Sequence, residues 1–537
     1  MITPMVGSGW GRKKVESYVA DALEDYQKII YNNIGVPGGP GFGVGVCPAD
    51  NLPSGFTPMS GYADPVHENY GNYQYADGSV MVYVPKFYFK VGTGANGLAV
   101  NVIDVKPADY FADTAAANTA GYGLPTAFVN GGQEQPGFFV DKYKCSKAAW
   151  GTGYIASSIK NGNPISTAST HNPIADLTAC AGNYYYEAIT AAKARDGING
   201  EINSASRFFC KSRFIMAAMA ILSLAHGQAA NSAIYCAWYD STGAKNYPKG
   251  CNNDALKDID DTTVSFTSDG YLNCGKTGSG LPFAKTTHNG QNCGIADVNG
   301  LMWDIEIGLT CIAVSKTITA ATQANPCQLT ITGHGQSTGA YVDISSVAGM
   351  TQLNDKIFKI TVVDENTITL DGVDSAAFGT YTSGGTAIFG TFYKAKNSIR
   401  MEDFTAGNSL ATDHWGATGV AAMMEAFVPA FETVYPNNGY AQRMGSGSNQ
   451  VLSEALTGNA SVLTNMGFPK DAGAVDTTGT NLFGKDYFYQ KITNDLCLRS
   501  GGSWSSGAAA GVWNSYWDIS RAYSSNYVGF RCACYPV

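Results

Sequence analysis

Two carboxylates follow a tryptophan in the segment DVNGLMWDIE, where Asp304 and Glu306 come directly after Trp303. If the segment is a strand, residues two apart lie on one face. The pair could then act as general acid and base, make hydrogen bonds in the core, or bind Ca²⁺ through carboxylate oxygens. The second and third roles are favoured over catalysis. Ca²⁺ is therefore a candidate cofactor, no other cofactor is expected, and the metal ligands are unknown.

Other patterns that could support catalysis lack the required context. Residues 92–97 (GTGANG) match the dinucleotide fingerprint G-x-G-x-x-G, but the following LAVNVIDV predicts a strand. Pyrophosphate binding needs a helix N-terminus at that point, so the glycines indicate a hairpin turn. Neither H-E-x-x-H nor G-x-S-x-G occurs. We therefore predict that the protein is not an enzyme and has no catalytic residues.

Thirteen cysteines are scattered along the chain without any C-x-x-C spacing, and the closest pair is Cys532 and Cys534. Zinc-ribbon and thioredoxin-like sites need the C-x-x-C spacing. Reduced, buried thiols are the favoured interpretation, because a buried Cys behaves as a small hydrophobe. A few disulfides are the alternative, and their pairing cannot be read from the sequence.

The length of 537 residues indicates roughly three or four domains, or one large domain with an insertion. A net charge of -9 argues against nucleic acid as a partner, because phosphate binding needs a basic patch. The apolar run at residues 214–225 is shorter than the ~18 residues of a bilayer span. It predicts a buried helix and no membrane insertion. The N-terminal residues lack the pattern of a secretory signal.

These candidate residues must be positioned by four predicted segments. Residues 1–35 hold an amphipathic helix at 10–33, with apolar residues at three- and four-residue steps. Residues 36–310 and 391–537 form the two parts of one domain. Between them, residues 311–390 alternate β-branched and polar residues around glycine turns, which predicts an inserted all-β module. Insertions of this kind are tolerated on surface loops.

Residues 503–527 (SWSSGAAAGVWNSYWDISRAYSSNY), here called the terminal tract, are rich in Ser, Asn, Tyr and Trp. The charged residues of the tract are Asp518 and Arg521. It shows neither strand alternation nor helical periodicity. Tyr and Trp offer large rigid contact areas and Ser and Asn adaptable hydrogen bonds, a composition typical of a paratope. The tract is predicted to present a binding surface, with a wet loop of an ordinary domain as the alternative.

Four pieces of the chain occur in an order known from one fold family, namely MVYVPKFYF (81–89), GFFVDKY (137–143), DVNGLMWDIE (297–306) and GFRCA (529–533). Together they resemble the C-type lectin fold of the formylglycine-generating-enzyme type. The resemblance implies an α+β C-type lectin fold with a small inserted all-β module, Ig-like or sandwich, and a short N-terminal helix. The module itself resembles a small β-rich module of ubiquitin-activating enzymes. The oxidase chemistry of that fold family is not expected, because residues 505–529 contain no Cys.

Within that fold the tract is similar to the variable proteins of diversity-generating retroelements, whose motif runs from GG-x-W to GFR. Residues 501–504 (GGSW) and 529–531 (GFR) match the motif. In that family, replacement of template adenines turns Asn codons into Tyr, Ser, Asp, Ala and others. The resemblance implies variable, receptor-binding positions at Ser505, Ser506, Ala508, Asn514, Ser515, Tyr516, Asp518, Ile519, Tyr523, Ser525, Asn526 and Tyr527. It implies a fixed scaffold at Trp504, Gly511, Trp513, Trp517, Arg521, Gly529, Phe530 and Arg531.

The resemblance also implies a function. We expect a receptor-binding adhesin of a bacteriophage tail, located in the virion and acting at the host cell surface. The expected partners are a host bacterial surface protein or glycan, other phage tail proteins, and copies of the same chain in a homotrimer. A bacterial surface or secreted variable ligand-binding protein is the alternative.

Overall fold

The computed structural model describes residues 32–197, 205–241, 248–404, 422–429, 441–444, 449–470, 483 and 485–537. The N-terminal helix expected at residues 10–33 lies almost wholly outside these ranges.

Helices are few among the described residues, and one of them is a core element. They are α1 (Thr114–Thr119), α2 (Tyr186–Lys193), α3 (Arg213–Ala229) and α4 (Gly458–Asn465). Ser212 begins α3 by accepting a hydrogen bond from the Ile215 amide, which satisfies one of the unpaired donors of the first turn. Every residue of α3 from Arg213 to His226 is buried, which confirms the predicted core helix. No described helix combines the length and apolar character that crossing a bilayer requires.

Strands make up 33% of the structure and helices 15%. The strands before the predicted module are β1 (Phe56–Pro58), β2 (Asn72–Tyr75), β3 (Val80–Pro85), β4 (Phe87–Val91), β5 (Ile103–Pro107), β6 (Val129–Asn130), β7 (Gln133–Glu134), β8 (Gly137–Asp141), β9 (Cys145–Trp150), β10 (Gly153–Ser158), β11 (Phe209–Cys210) and β12 (Trp303–Glu306). The later strands are β13 (Leu309–Thr317), β14 (Ala320–Ala321), β15 (Gln328–Thr330), β16 (Tyr341–Ala348), β17 (Lys356–Asp364), β18 (Thr367–Leu370), β19 (Ser383–Ala395), β20 (Met424–Phe427), β21 (Ala441–Arg443), β22 (Tyr487–Gln490), β23 (Leu496–Gly501), β24 (Gly511–Ser520), β25 (Val528–Gly529) and β26 (Cys532–Cys534).

Two six-stranded sheets position the C-terminal part of the chain. The first has the order β1-β2-β3-β8-β26-β11, so the last strand of the chain is inserted between two earlier ones. The second has the order β21-β22-β24-β23-β12-β25. Strand β24, which belongs to the terminal tract, pairs in parallel with β22 and antiparallel with β23. Both edges of β24 are therefore hydrogen-bonded, and α3 packs against it.

The predicted module has a sheet and a hydrophobic core of its own. Its strands follow one path, β13-β19-β16-β17-β18-β15-β14, around a cluster of buried residues that runs from Ile318 to Phe389. Only residues 318–319 separate β13 from β14, the strands at the two ends of this path, so these strand ends lie at most about 11 Å apart. The predicted all-β character of the module is confirmed by this strand path, and its Ig-like or sandwich arrangement stays a prediction. A register shift between Val362 and Asp364 lets β17 bend between its two neighbours, as β-bulges do.

The predicted α+β C-type lectin fold is wrong, because the chain consists mostly of β-strands arranged in several sheets. The sequence showed the long helix α3 clearly but concealed many short strands. Strands such as β11 and β26 contain two or three residues and pair across more than half of the chain. Local periodicity cannot reveal such pairs, because periodicity needs a longer run.

Candidate binding surface

Ten residues of the terminal tract form a strand, and from Ser515 to Ser520 its residues alternate between buried and partly exposed. In β24 Trp513, Ser515 and Trp517 are buried, whereas Tyr516 and Asp518 on the other face are half-exposed. The predicted lack of strand alternation is therefore wrong for residues 515–520, whereas residues 511–515 are all buried. Polar residues such as Ser515 on the inner face concealed the alternation in the sequence.

Arg499 of β23 organises the outer face of β24. Its Nη2 donates hydrogen bonds to both carboxylate oxygens of Asp518, at 2.9 and 2.8 Å. The guanidinium carbon lies 4.7 Å from the Trp303 ring centroid and 5.4 Å from that of Tyr516. A planar guanidinium can make both kinds of contact at once. Asp518 and Tyr516 are thus held in defined orientations on a rigid sheet.

Tyr489 of β22 extends this face. Tyr489 and Tyr516 are cross-strand neighbours, and their rings stack with centroids 5.0 Å apart. Burial raises the pKa of each tyrosine to about 12. Both phenols therefore stay protonated at neutral pH and keep their O–H donors.

The loop between β24 and β25 brings two further tyrosines to this region. The hydroxyls of Tyr523 and Tyr527 lie 3.0 Å apart in a hydrogen bond. Burial raises the pKa of Tyr523, and its hydrogen bond to Tyr527 raises it further. Burial also raises the pKa of Tyr527, but hydrogen bonds with Tyr523 and Ser525 and the charge of Arg499 outweigh it and lower the pKa overall. The backbone amide of Ser525 donates to Thr167 Oγ1 at 3.0 Å and so ties the loop to the body.

The inner face of β24 is fixed by aromatic packing. Trp517 lies with its ring centroid 4.5 Å from that of Phe468 and is fully buried. The Trp513 backbone amide donates to Asp486 Oδ2 at 2.9 Å. At Gly511 a Cβ would lie 1.8 Å from Asp486 Oδ1, so a side chain cannot fit there.

Buried arginines and a tryptophan hold the terminal tract and the residues that follow it in place. Arg521 donates from Nε to Asp495 Oδ1 at 2.8 Å. Arg531 donates from Nε to Asp304 Oδ2 at 3.0 Å and also binds backbone carbonyls. Trp504 is 3% exposed. All the predicted scaffold residues are buried, namely Trp504, Gly511, Trp513, Trp517, Arg521, Gly529, Phe530 and Arg531.

Asp304 and Glu306 lie in the core of β12 rather than at a surface. Lys144 Nζ is 2.8 Å from Asp304, and Lys211 Nζ is 2.6 Å from Glu306. Burial raises the pKa of Asp304, but the charges of Lys144, Arg531 and Lys211 outweigh it and hold that pKa well below its usual range. Asp304 is therefore ionised and cannot act as a general acid. Cations already neutralise both carboxylates, which disfavours Ca²⁺ at this pair.

The predicted variable positions fall into two groups. Those that are exposed or partly exposed are here called the terminal surface, which comprises Ser505, Ser506, Ala508, Tyr516, Asp518, Tyr523, Asn526 and Tyr527. The others are buried, namely Asn514, Ser515, Ile519 and Ser525. Their predicted direct contact with a receptor is corrected, because a buried side chain cannot touch a ligand. Arg499 and Tyr489 were missed, since they precede the tract and only strand pairing reveals their position.

Two glycine motifs resemble phosphate-binding loops. Residues 92–102, which include this glycine cluster, join the antiparallel strands β4 and β5, so the predicted hairpin is confirmed although its second strand begins only at Ile103. A second match, GYLNCGKT at residues 270–277, fits G-x-x-x-x-G-K-[ST] and was missed. A phosphate loop must open a helix. Here Thr277 forms a β-bridge with Gly162 and donates its hydroxyl to Asp297, so this segment does not form a phosphate loop.

One part of the chain matches a known family. Residues 327–388 match the FCCH domain of ubiquitin-activating enzyme E1. The match lies inside the β module and agrees with its predicted resemblance. The family is named after an enzyme, so the match gives no support to the prediction that this chain is not one. No curated protein is significantly similar to the chain.

Proposed function

We propose that the protein is a non-catalytic adhesin of a bacteriophage tail whose terminal surface binds a protein or glycan on a host bacterium. The observation that carries the proposal is the arrangement of β24. Tyr516 and Asp518 lie partly exposed on one face, and the buried side chains of Trp513 and Trp517 lie on the other. Rigid aromatic side chains give contact area at a low cost in conformational entropy.

The same arrangement supports diversification of the tract by a retroelement. Tyr516, Tyr523 and Tyr527 of the terminal surface pack against the main core as partly buried side chains and are not among its buried members. Their replacement would therefore change contacts on the outside of the core and leave the buried frame in place. The frame residues Trp513, Trp517 and Arg521 have well-defined buried partners. A chain built in this way can change its ligand without changing its fold.

A homotrimer that presents three copies of the terminal surface would strengthen binding. Linked sites convert later binding events into intramolecular ones, so modest affinities add up to strong attachment. The remaining surface of the chain would then contact other tail proteins.

The proposal is tested by binding of the labelled, full-length protein to a panel of bacterial strains. The test variant combines Tyr516→Ala, Tyr523→Ala and Tyr527→Ala. We expect it to lose binding by at least about tenfold, since interface tyrosines are common hot spots. Thermal unfolding of each protein establishes that it is folded.

The matched control removes three tyrosines elsewhere, with Tyr110→Ala, Tyr154→Ala and Tyr184→Ala. These side chains are 61%, 47% and 40% exposed and lie outside the terminal tract. The control should bind as the unchanged protein does. Equal binding by both triple variants, or no saturable binding to any strain, would contradict the proposal.

A further inference from the structure

Beside the terminal surface, three side chains of different chemistry converge. His171 Nε2, Asp269 Oδ2 and Cys274 Sγ all lie within 4.8 Å of one another. The His171 and Asp269 side chains are 2% and 0% exposed, and Cys274 is fully buried. An imidazole, a carboxylate and a thiol together are the donor types that Zn²⁺ prefers.

The backbone holds two of these donors in a tight loop. The Asp269 amide donates to the Cys274 carbonyl at 3.0 Å, and the Cys274 amide donates to the Tyr271 carbonyl at 3.0 Å. The Tyr271 amide donates to Asp269 Oδ1 at 2.8 Å, which leaves Oδ2 directed at the histidine. The positions of the carboxylate and the thiol are therefore set before any ligand binds.

The hydrogen bonds of His171 fix the state of its ring. Nδ1 lies 2.7 Å from the carbonyl oxygen of Asn526, which can only accept, so Nδ1 carries a proton. Nε2 lies 2.6 Å from Asp269 Oδ2. A hydrogen bond joins these two atoms, so they already face each other as two ligands of one metal ion would. A ligating histidine commonly donates its other N–H to a carbonyl, as Nδ1 does here.

We propose that His171, Asp269 and Cys274 bind Zn²⁺, with a water molecule as the fourth ligand. The metal replaces the proton between Nε2 and Oδ2, and the Cys274 thiol releases its proton to solvent on binding. Ligand atoms around a tetrahedral zinc are about 3.3 to 3.7 Å apart, so Nε2 and Oδ2 separate by about 0.7 Å. The proposal stands whether or not the terminal surface binds a host ligand.

Among the described residues, a second cluster with mixed donors is unsuited to a metal. Asp141, Cys145 and Cys532 also converge. There Arg195 donates to both carboxylate oxygens of Asp141, at 2.6 and 2.9 Å. The guanidinium already occupies the position that a cation would take.

The proposed zinc site would stabilise the loop between β24 and β25, which contains Asn526 of the terminal surface. The Tyr271 ring stacks on His171 with centroids 4.2 Å apart, and the Tyr271 hydroxyl accepts a hydrogen bond from Asn526 Nδ2 at 2.9 Å. Asn526 is thus held by hydrogen bonds with His171 and with Tyr271. A metal that fixes the imidazole also fixes the carbonyl of Asn526.

The test is a titration of the tag-free, full-length, chelator-treated protein with Co²⁺, which takes the geometry of Zn²⁺ and absorbs light. We expect one equivalent to bind with a thiolate-to-cobalt charge-transfer band, and Zn²⁺ to displace it. Cys274→Ser should abolish the band and weaken binding by at least about 100-fold, since losing even an outer-shell partner costs about 10- to 100-fold. Asp269→Asn should keep the band with weakened binding.

Cys251→Ser is the matched control, because Cys251 is a fully buried thiol of the same hydrophobic cluster. It should keep the band and the affinity. The proposal is overturned if the unchanged protein binds no stoichiometric Co²⁺, or if the band survives in Cys274→Ser. If Cys274→Ser does not fold, an undiminished affinity in Asp269→Asn overturns it equally.

Discussion

Arg521 and Arg531 are both fully buried, and each forms an ion pair with a carboxylate. Removing one partner of such a pair typically costs about 3–5 kcal/mol, because a charge is left buried without compensation. The partners Asp495 and Asp304 lie 26 and 227 residues away in sequence. These arginines therefore stabilise the structure around the terminal tract through buried ion pairs. Because they are buried, they are unsuited to contacting a ligand.

Buried histidines make the stability of the fold depend on pH. Burial lowers the pKa of His226 to about 4 and that of His288 to about 3, against about 6.5 in an unfolded chain. Below pH 6.5 the unfolded chain therefore binds protons that the folded chain does not. The free energy of unfolding should fall as the pH drops from 6.5 to 4, by up to about 1.4 kcal/mol per pH unit for each histidine.

Urea denaturation at several pH values measures this slope. In His226→Gln the amide can replace both ring hydrogen bonds, an acceptor for the Gly38 amide and a donor to the Tyr235 carbonyl. The slope between pH 6.5 and 4 should fall by about half in this variant. An unchanged slope would show that His226 is not the titrating group.

Strand β24 explains which positions of the terminal tract can change. Its outer residues Tyr516 and Asp518 lie over Arg499, whereas its inner residues Trp513 and Trp517 fill the core. A large-to-small change at a buried tryptophan costs about 3–5 kcal/mol. From Ser515 to Ser520 the face of the strand therefore decides whether a position can vary.

The DNA around the coding sequence should carry the same pattern. We expect a near-identical second copy of the codons for residues 503–527 that differs only at adenines. The differences should fall in the codons of Tyr516, Asp518, Tyr523 and Tyr527 and spare those of the buried tryptophans. Sequencing of the DNA that flanks the coding sequence would show whether the second copy exists and at which codons it differs. Differences spread evenly over both faces of β24, or no second copy, would contradict diversification.

Individual elements were predictable from the sequence where their pattern is local. Helix α3 is a long apolar run, and the hairpin at residues 92–97 is a glycine cluster between two strand-like runs. The composition of the terminal tract predicted a binding surface, a hypothesis that the burial pattern narrows to one face. Strand β24 was missed because its inner face contains Ser515, and Arg499 was missed because cross-strand pairing is not local.

At the scale of the whole molecule, the described residues form two large hydrophobic cores and two small clusters. The β module encloses its own buried cluster and is inserted between β12 and β20. The remaining sheets share the main core, which includes Trp513, Trp517 and α3. The predicted fold failed at this scale, because the order of strands within a sheet depends on contacts between distant segments.

The central claim is that a fixed frame carries a replaceable binding surface, and two displayed libraries of the full chain test it directly. One randomises Tyr516, Asp518, Tyr523 and Tyr527, and the other randomises the buried residues Asn514, Ser515, Ile519 and Ser525. Each is sorted first for protease resistance and then for binding to bacterial cells. We predict that most members of the first library stay folded and yield cell binders, whereas few members of the second stay folded. Equal folded fractions in the two libraries, or no cell binders from the first, would contradict the account.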